Sequence, residues 1–266
     1  MAGSWWDRDR SQDHTAPNPN VRHDAYADID FENNAQRLPL VLCLDTSSSM
    51  AGLPISTLND AMRMWAQELH DDVSLSASVE VAVITFGGIG VRAWRGPQML
   101  APGQPGTPFV PAHAFHAPQF EAAGVTLLTE ALDMAMQIVA ERKQELRAAG
   151  LQYYRPQICL MTDGLPTDTE GQLSDSWHRL GPVLAAEQEK RHFRLYAIGV
   201  GGISQQGLDV LRALAPAFHA HLHGFPFKQL LAMMSASANA EQKGAGDEVF
   251  EKIFHQFRTQ RSAWES

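Results

Sequence analysis

The chain has little of several things, and each shortage excludes a class. It has no apolar run near the ~20 residues that a membrane-spanning helix needs. Its first residues, Met1-Ala2-Gly3-Ser4-Trp5-Trp6-Asp7-Arg8, lack the apolar core of a secretory signal. Only two cysteines occur in 266 residues, Cys43 and Cys159, each inside an apolar stretch. They read as small core residues in a reducing compartment, not as a disulfide. Positive charge is also short: 21 Lys and Arg stand against 30 Asp and Glu, a net charge of −9. A nucleic-acid surface needs a basic face to neutralise phosphates, so that partner is not expected. With 44% hydrophobic and 19% charged residues, the remainder is an ordinary globular composition. The expectation is a cytoplasmic chain with no membrane contact.

What is present is concentrated at one place. Leu40-Val41-Leu42-Cys43-Leu44 is continuously apolar, as a strand covered on both sheet faces should be. It runs directly into Asp45-Thr46-Ser47-Ser48-Ser49, a carboxylate followed by two alternate hydroxyls. Clustered hard oxygens at a strand end suit a small hard cation such as Mg²⁺. A second apolar strand, Pro156 to Met161, ends in Thr162-Asp163-Gly164, and between the two lies Gly124-Val125-Thr126 ahead of a helical pattern. Singly, Ser47 or Ser49 would read as a helix cap and Asp163 as a turn residue. Together they read as one site.

These pieces, in this order, resemble the von Willebrand factor A (vWA) family and its metal-ion-dependent adhesion site. The resemblance runs through most of residues 38–240, including Val83-Ile84-Thr85-Phe86 and Ala197-Ile198-Gly199-Val200-Gly201. It implies that Asp45, Ser47, Ser49, Thr126 and Asp163 are metal ligands for Mg²⁺ or Mn²⁺. It also implies a protein-interaction module, not an enzyme, in which a partner's acidic residue completes the metal shell. Arg37-Leu38-Pro39, Pro54-Ile55 and Met161 to Asp168 look most like the small bacterial vWA proteins associated with tellurite resistance. That likeness implies a stress-response setting, with a protein kinase or a PP2C-type phosphatase as a possible partner. Two positions depart from the family. Ser48 and Thr129 stand where glycine is common; neither is a ligand position, but glycine tolerates dihedrals that Ser48 adopts only at a cost.

Around the site the periodicity alternates between strand and helix, which predicts a doubly wound α/β fold with a mostly parallel sheet covered on both faces. Ile55, Leu58, Met62, Trp65 and Leu69 mark one helix face. Strands are expected at Val79–Phe86, 156–162, Phe193–Val200 and Phe218–His223, the last at an edge. Helices are expected over Leu127–Arg147, about 174–191, Gln205–Leu214 and Pro226–Ala238. Residues 1–36 read as a polar, disordered tail with a Trp5-Trp6 pair that could anchor to a surface, 37–240 as the domain, and 241–266 as a linker and amphipathic helix. Val249, Phe250, Ile253, Phe254 and Phe257 form that helix's apolar stripe, expected to pack back on the domain. The proline-rich stretch 96–118 is expected to be either a rim beside the metal or a plain surface excursion.

Three rival readings carry less. A metal-dependent phosphohydrolase with an aspartate nucleophile resembles this strand-end pattern, but it uses a second carboxylate where Ser47 stands. Gly199-Val200-Gly201-Gly202 lacks the spacing of a nucleotide loop. His219, His221 and His223 share one strand face, where three neighbours converge poorly on one Zn²⁺ and a solvated edge is the plainer expectation.

Overall fold

The computed structural model describes residues 33, 35–88, 90–101 and 106–259. The Trp5-Trp6 pair and most of the expected tail lie outside the described residues.

The central strand β1, Leu38–Asp45, is buried along its whole length. On one side it pairs in parallel with β2, Val79–Gly87, and on the other with β6, Gln157–Thr162. Beyond β6 come β7, Arg194–Val200, and then the edge strand β8, His219–Leu222, both parallel. Beyond β2 the direction changes: β3, Gly90–Arg95, and β4, Gln98–Met99, run antiparallel, and β5, Val110–Pro111, adds a short antiparallel pairing to the start of β2. The result is an eight-stranded, mostly parallel sheet. The chain passes from β1 to one neighbour and later returns to the other, so a topological switch point falls between β1 and β6. Open α/β sheets bind ligands outside the carboxyl ends of the strands at such a point.

Alternation along β1 sends its side chains to two cores. Leu38, Leu40, Leu42 and Leu44 pack with α1 (Leu53–Asp71), α6 (Phe227–Gln242) and α7 (Asp247–Thr259). Val41 and Cys43 pack on the other face with α3 (Leu128–Ala148), α4 (Leu180–Glu189) and α5 (Gln205–Leu214). The same alternation separates the cysteines: Cys159 pairs with Leu42 and shares its face, while Cys43 faces the opposite core. Both thiols are free and buried, and burial pushes both well above the ordinary cysteine range.

Local signals explain the helix starts. Pro54 sits in the first turn of α1, where its missing N–H costs nothing. The short α2, Val73–Ser78, is capped by Asp72, which accepts from the N–H groups of Ser74 and Leu75 at 2.9 Å each. Phe250, Phe254 and Phe257 of α7 are buried in the first core, so the carboxyl-terminal stripe does pack back on the domain.

Two expectations need correction, and one of two alternatives for a third is excluded. The helix over 174–191 is a 3₁₀ turn at Ser176–Arg179 followed by α4 from Leu180. Pro182 is tolerated only near a helix start, and the Ser174 and Ser176 hydroxyls are engaged in a chain to Thr129. α6 continues to Gln242, so the linker shrinks to a turn around Gly244. Finally, β4 lies at the start of the proline-rich stretch, and its later part joins the amino end of β2, where Val110 pairs with Val81. That later part therefore lies at the opposite end of the sheet from Asp45 and cannot rim it.

The amino end is closed by buried charge. Arg142 of α3 holds Glu80 of β2 through two hydrogen bonds of 2.7 and 2.9 Å, and Arg37 approaches the same carboxylate at 3.7 Å. Breaking a buried pair strands the remaining charge, at a cost of about 3–5 kcal/mol. Arg142→Ala should lower unfolding stability by about that much, read as a lower urea midpoint. An unchanged midpoint would show that Glu80 does not depend on Arg142.

Candidate metal centre

Asp45 ends β1 completely buried. The Ser47 N–H donates to its Oδ1 at 2.8 Å, and the Thr162 hydroxyl donates to its Oδ2 at 2.5 Å. Thr162 is oriented in turn by the Gly164 N–H, which donates to its Oγ1 at 3.1 Å. From Asp45 the chain enters a 3₁₀ turn at Ser48–Met50. This turns Ser47 and Ser49 back toward the strand end, with their hydroxyl oxygens 3.0 Å apart. The Ser49 hydroxyl donates to Asp163 Oδ1 at 2.7 Å. Four of the five expected ligands are thus in one hydrogen-bonded cluster.

Thr126 arrives from the third segment. Its N–H donates to Thr167 Oγ1 at 2.8 Å and its carbonyl accepts from the Thr167 N–H at 2.9 Å, a two-point latch on the loop after β6. A Cβ added at Gly164 would sit 3.4 Å from Thr126 Oγ1, which places that hydroxyl against the segment just past Asp163. All five predicted residues are therefore brought to the carboxyl ends of β1 and β6.

Backbone contacts fix the three loops to one another. The Ala123 N–H donates to Thr46 O at 2.9 Å and the Ser48 N–H to Gly124 O at 3.1 Å, while the Gly88 N–H donates to Ala123 O. These close approaches require glycine. Gly87 has φ 145°, and a Cβ there would lie 2.5 Å from the Thr46 carbonyl; Gly124 has φ 71°, and a Cβ there would lie 2.5 Å from Gly88 N. The two departures from the family pattern are accommodated differently. Ser48 is in the 3₁₀ turn with no positive φ, so it carries no strain. Thr129, buried in the first turn of α3, accepts a hydrogen bond from Ser176 Oγ at 2.9 Å.

The donor set fits a small hard cation: two carboxylates and three hydroxyls, all oxygen. The charged neighbour that acts on Asp45 is another carboxylate, Asp163. Burial pushes the Asp45 carboxyl up to about 6; the hydrogen bonds from Ser47 and Thr162 pull against that rise, and Asp163 adds to it. A buried carboxylate of this kind is stabilised by a bound cation and destabilising without one.

Thr162 and Thr167 were not among the expected site residues. The sequence signal for Thr162 was its place at the end of the second apolar run, directly before Asp163; in the structure Leu44 pairs with Met161, so the next register step sets Thr162 beside Asp45. Thr167 had none, because its partner Thr126 is far away in sequence. The histidine triplet does not assemble into a site. His219 Nδ1 lies 3.1 Å from Pro216 O and His221 Nε2 lies 3.1 Å from Gly201 O. No metal-competent group of three or more His, Cys, Asp or Glu occurs among the described residues. Gly199 serves packing, since a Cβ there would press on Ile203 at 3.0 Å. No helix among the described residues is long and apolar enough to cross a membrane.

Two predictions follow from this geometry. Because the folded-state value of Asp45 is raised from 3.8 to about 6, the folded protein binds the proton more tightly than the unfolded chain. The associated stability is present below pH 3.8 and lost as pH rises through about 6. In metal-free protein at pH 7.5, Asp45→Asn should therefore raise stability by up to ~3 kcal/mol, seen as a higher Tm in chelator. A lower Tm would mean that the charged carboxylate is already compensated. Gly87→Ala should displace Thr46 and lose both stability and divalent-cation binding, measured by thermal shift with and without Mg²⁺.

No protein-family model matches the chain, and no curated protein matches it in sequence. Solved structures do. The pilus adhesin SpaC from Lactobacillus rhamnosus GG superposes with a TM-score of 0.51 at 13% identity, over 79% of this chain and 31% of the adhesin. Its open conformation gives 0.50 at 13% identity, over 79% of this chain and 30% of that one. The vWF domain of the type V pili tip protein Mfa5 from Porphyromonas gingivalis gives 0.45 at 12% identity, over 80% of this chain and 98% of that domain. The chain spans about a third of the length of the adhesin. At such identities the likeness to the adhesin is one of fold: this is a doubly wound α/β domain with a mostly parallel central sheet.

Proposed function

We propose that the chain is a vWA domain that binds a divalent cation and uses it to hold a protein partner. The observation that carries this reading is the convergence of Asp45, Ser47, Ser49, Thr126 and Asp163 around a buried carboxylate whose charged neighbour is a second carboxylate. These five residues would hold Mg²⁺ or Mn²⁺, and the cation would supply an electrophilic position to a partner's carboxylate.

The chain's own residues set the terms of that contact. Ser47, Ser49 and Thr126 would contribute dipoles without charge, so the two carboxylates would match the cation's charge without exceeding it. Thr162 and the Ser47 N–H occupy the inward lone pairs of Asp45 and hold its carboxylate in place. The Thr167 latch holds Thr126 from the side.

The reading is non-enzymatic: Ser47 stands where a phosphohydrolase of this strand-end type would need its second carboxylate. We place the module in the cytoplasm of a bacterial stress-response system of the tellurite-resistance type. Its partners would be proteins offering an acidic residue, with a kinase or a PP2C-type phosphatase as the first candidates. This setting rests on the sequence resemblance around Met161 to Asp168.

The test is a pull-down from native lysate in Mg²⁺ and in EDTA, beside Asp45→Ala. The expected outcome is a partner retained in Mg²⁺ and lost in both EDTA and the variant. A partner retained in all three would move the interaction away from the metal centre.

A further inference from the structure

The three segments that frame the metal centre are acidic out of proportion to the rest of the chain. Residues 45–63, 119–133 and 163–179 hold nine Asp and Glu against two Arg, a net charge of −7 out of −9 for all 266 residues. Both arginines are used within the face: Arg63 pairs with Asp60 at 2.8 Å, and Arg179 pairs with Asp133. Glu121, Glu130, Glu170 and Asp175 are exposed and make no ion pair among the described residues.

Three of these carboxylates stand on segments tied directly to the expected ligands. Glu121 lies two residues before Ala123, whose N–H donates to Thr46 O at 2.9 Å, and two residues extend at most about 7 Å. Its segment is clamped to α1, because the Asn59 amide donates to Phe120 O at 3.0 Å and accepts from the Phe120 N–H at 2.9 Å. A cleft of about 380 Å³ lies between this segment and the start of α1, with Glu121 in its wall. Glu130 is in the first turn of α3, four residues past Thr126. Glu170 sits in the turn that joins Thr167 to its bridge partner Leu173. A Cβ at the following Gly171 would lie 3.3 Å from Val125 Cγ1, next to Thr126. Thr126 itself is only 6% exposed, and its hydroxyl has no hydrogen-bond partner among the described residues.

This charge pattern constrains the partner. Asp45 and Asp163 would already match a divalent cation, so an added carboxylate would make the loaded centre net negative inside a negative rim. Like charges brought together at an interface cost binding energy unless cations arrive with them. Building on the metal-binding reading above, we propose that the face selects a protein surface on which one carboxylate is framed by Lys and Arg. The carboxylate completes the metal shell, and the framing cations meet Glu121, Glu130 and Glu170. The cleft takes the side chain that pairs with Glu121. An acid-rich segment is turned away by the same rim. A second copy meeting this face with its own would set like charge on like.

The test uses the full chain and fluorescent synthetic peptides that carry a single Asp flanked on both sides by Lys, by Ala or by Glu. Binding of Mn²⁺ is measured first by EPR, with Asp45→Ala as control. Peptide binding is then read by anisotropy in Mg²⁺ and in EDTA. The expected result is Mg²⁺-dependent binding of the Lys-flanked peptide, about tenfold tighter than the Ala-flanked one, with the Glu-flanked peptide weakest. That advantage should shrink as NaCl is raised from about 50 to about 200 mM. Glu121→Lys should reduce it while Mn²⁺ still binds. Equal binding of the Lys-flanked and Glu-flanked peptides, or no Mg²⁺-dependent binding of any of them, would overturn the proposal and leave the metal centre standing. Binding of the Lys-flanked peptide that survives both EDTA and replacement of its Asp by Asn would also overturn it, because the rim would then be attracting cations without the metal. Failure of Mn²⁺ to bind at Asp45 would remove the metal centre and this inference together.

Discussion

The structure turns on one buried carboxylate. Asp45 sits at the end of the central strand with no solvent exposure, its two oxygens fixed by the Ser47 N–H and the Thr162 hydroxyl. Burying a charge is costly unless something of opposite sign meets it. Here the neighbour is Asp163, of the same sign. The fold nevertheless spends several special features on holding this arrangement: two glycines packed against backbone at the loop crossings, a threonine latch between distant loops, and hydrogen bonds joining segments from three parts of the chain. That investment is intelligible if a cation completes the site, because the same carboxylate then changes from a liability into a ligand.

The two ends of the sheet treat charge in opposite ways. At the amino end, Glu80 is held between Arg142 and Arg37. Farther along the same end, Arg194 is paired with Glu241 and Asp247, and its guanidinium lies 3.3 Å from the Phe250 ring centroid. Every partner in these clusters belongs to the fold, and they lock α3, α6 and α7 to the strand starts. At the carboxyl end Asp45 and Asp163 face each other through serine hydroxyls. Paired charge at one end keeps the sheet closed, and at the other no ion pair to Asp45 or Asp163 occurs among the described residues.

Much of this was legible in sequence because the signals were local. Continuous apolar runs marked β1, β2, β6 and β7, and the residues that follow β1 and β6 supplied Asp45, Ser47, Ser49 and Asp163. Thr126 was legible only through its order along the chain. What was missed depended on contacts distant in sequence. β3 is half-buried throughout and β4 is exposed, so neither shows the apolar run of a covered strand. β5 exists because Val110 and Pro111 meet the start of β2, a pairing that no local pattern announces. The helix expected from 174 begins only at Leu180, because Ser176–Arg179 forms a 3₁₀ turn whose Ser176 hydroxyl, in a chain with Ser174, is engaged with Thr129.

The carboxyl-terminal helix shows how an ambiguous stripe is resolved. Five apolar residues at helical spacing fit a docking helix as well as a core one. The deciding residue is Arg194, buried at the start of β7, which on its own would be an uncompensated charge. Its guanidinium reaches Asp247 at 2.8 Å and lies over Phe250, both in the first turn of α7. Arg191 adds a second contact to Asp247 at 3.0 Å. Removing α7 would therefore expose three buried phenylalanines and also leave Arg194 with Glu241 alone among the acidic partners described. A helix tied in by a buried cation is part of the domain's own closure.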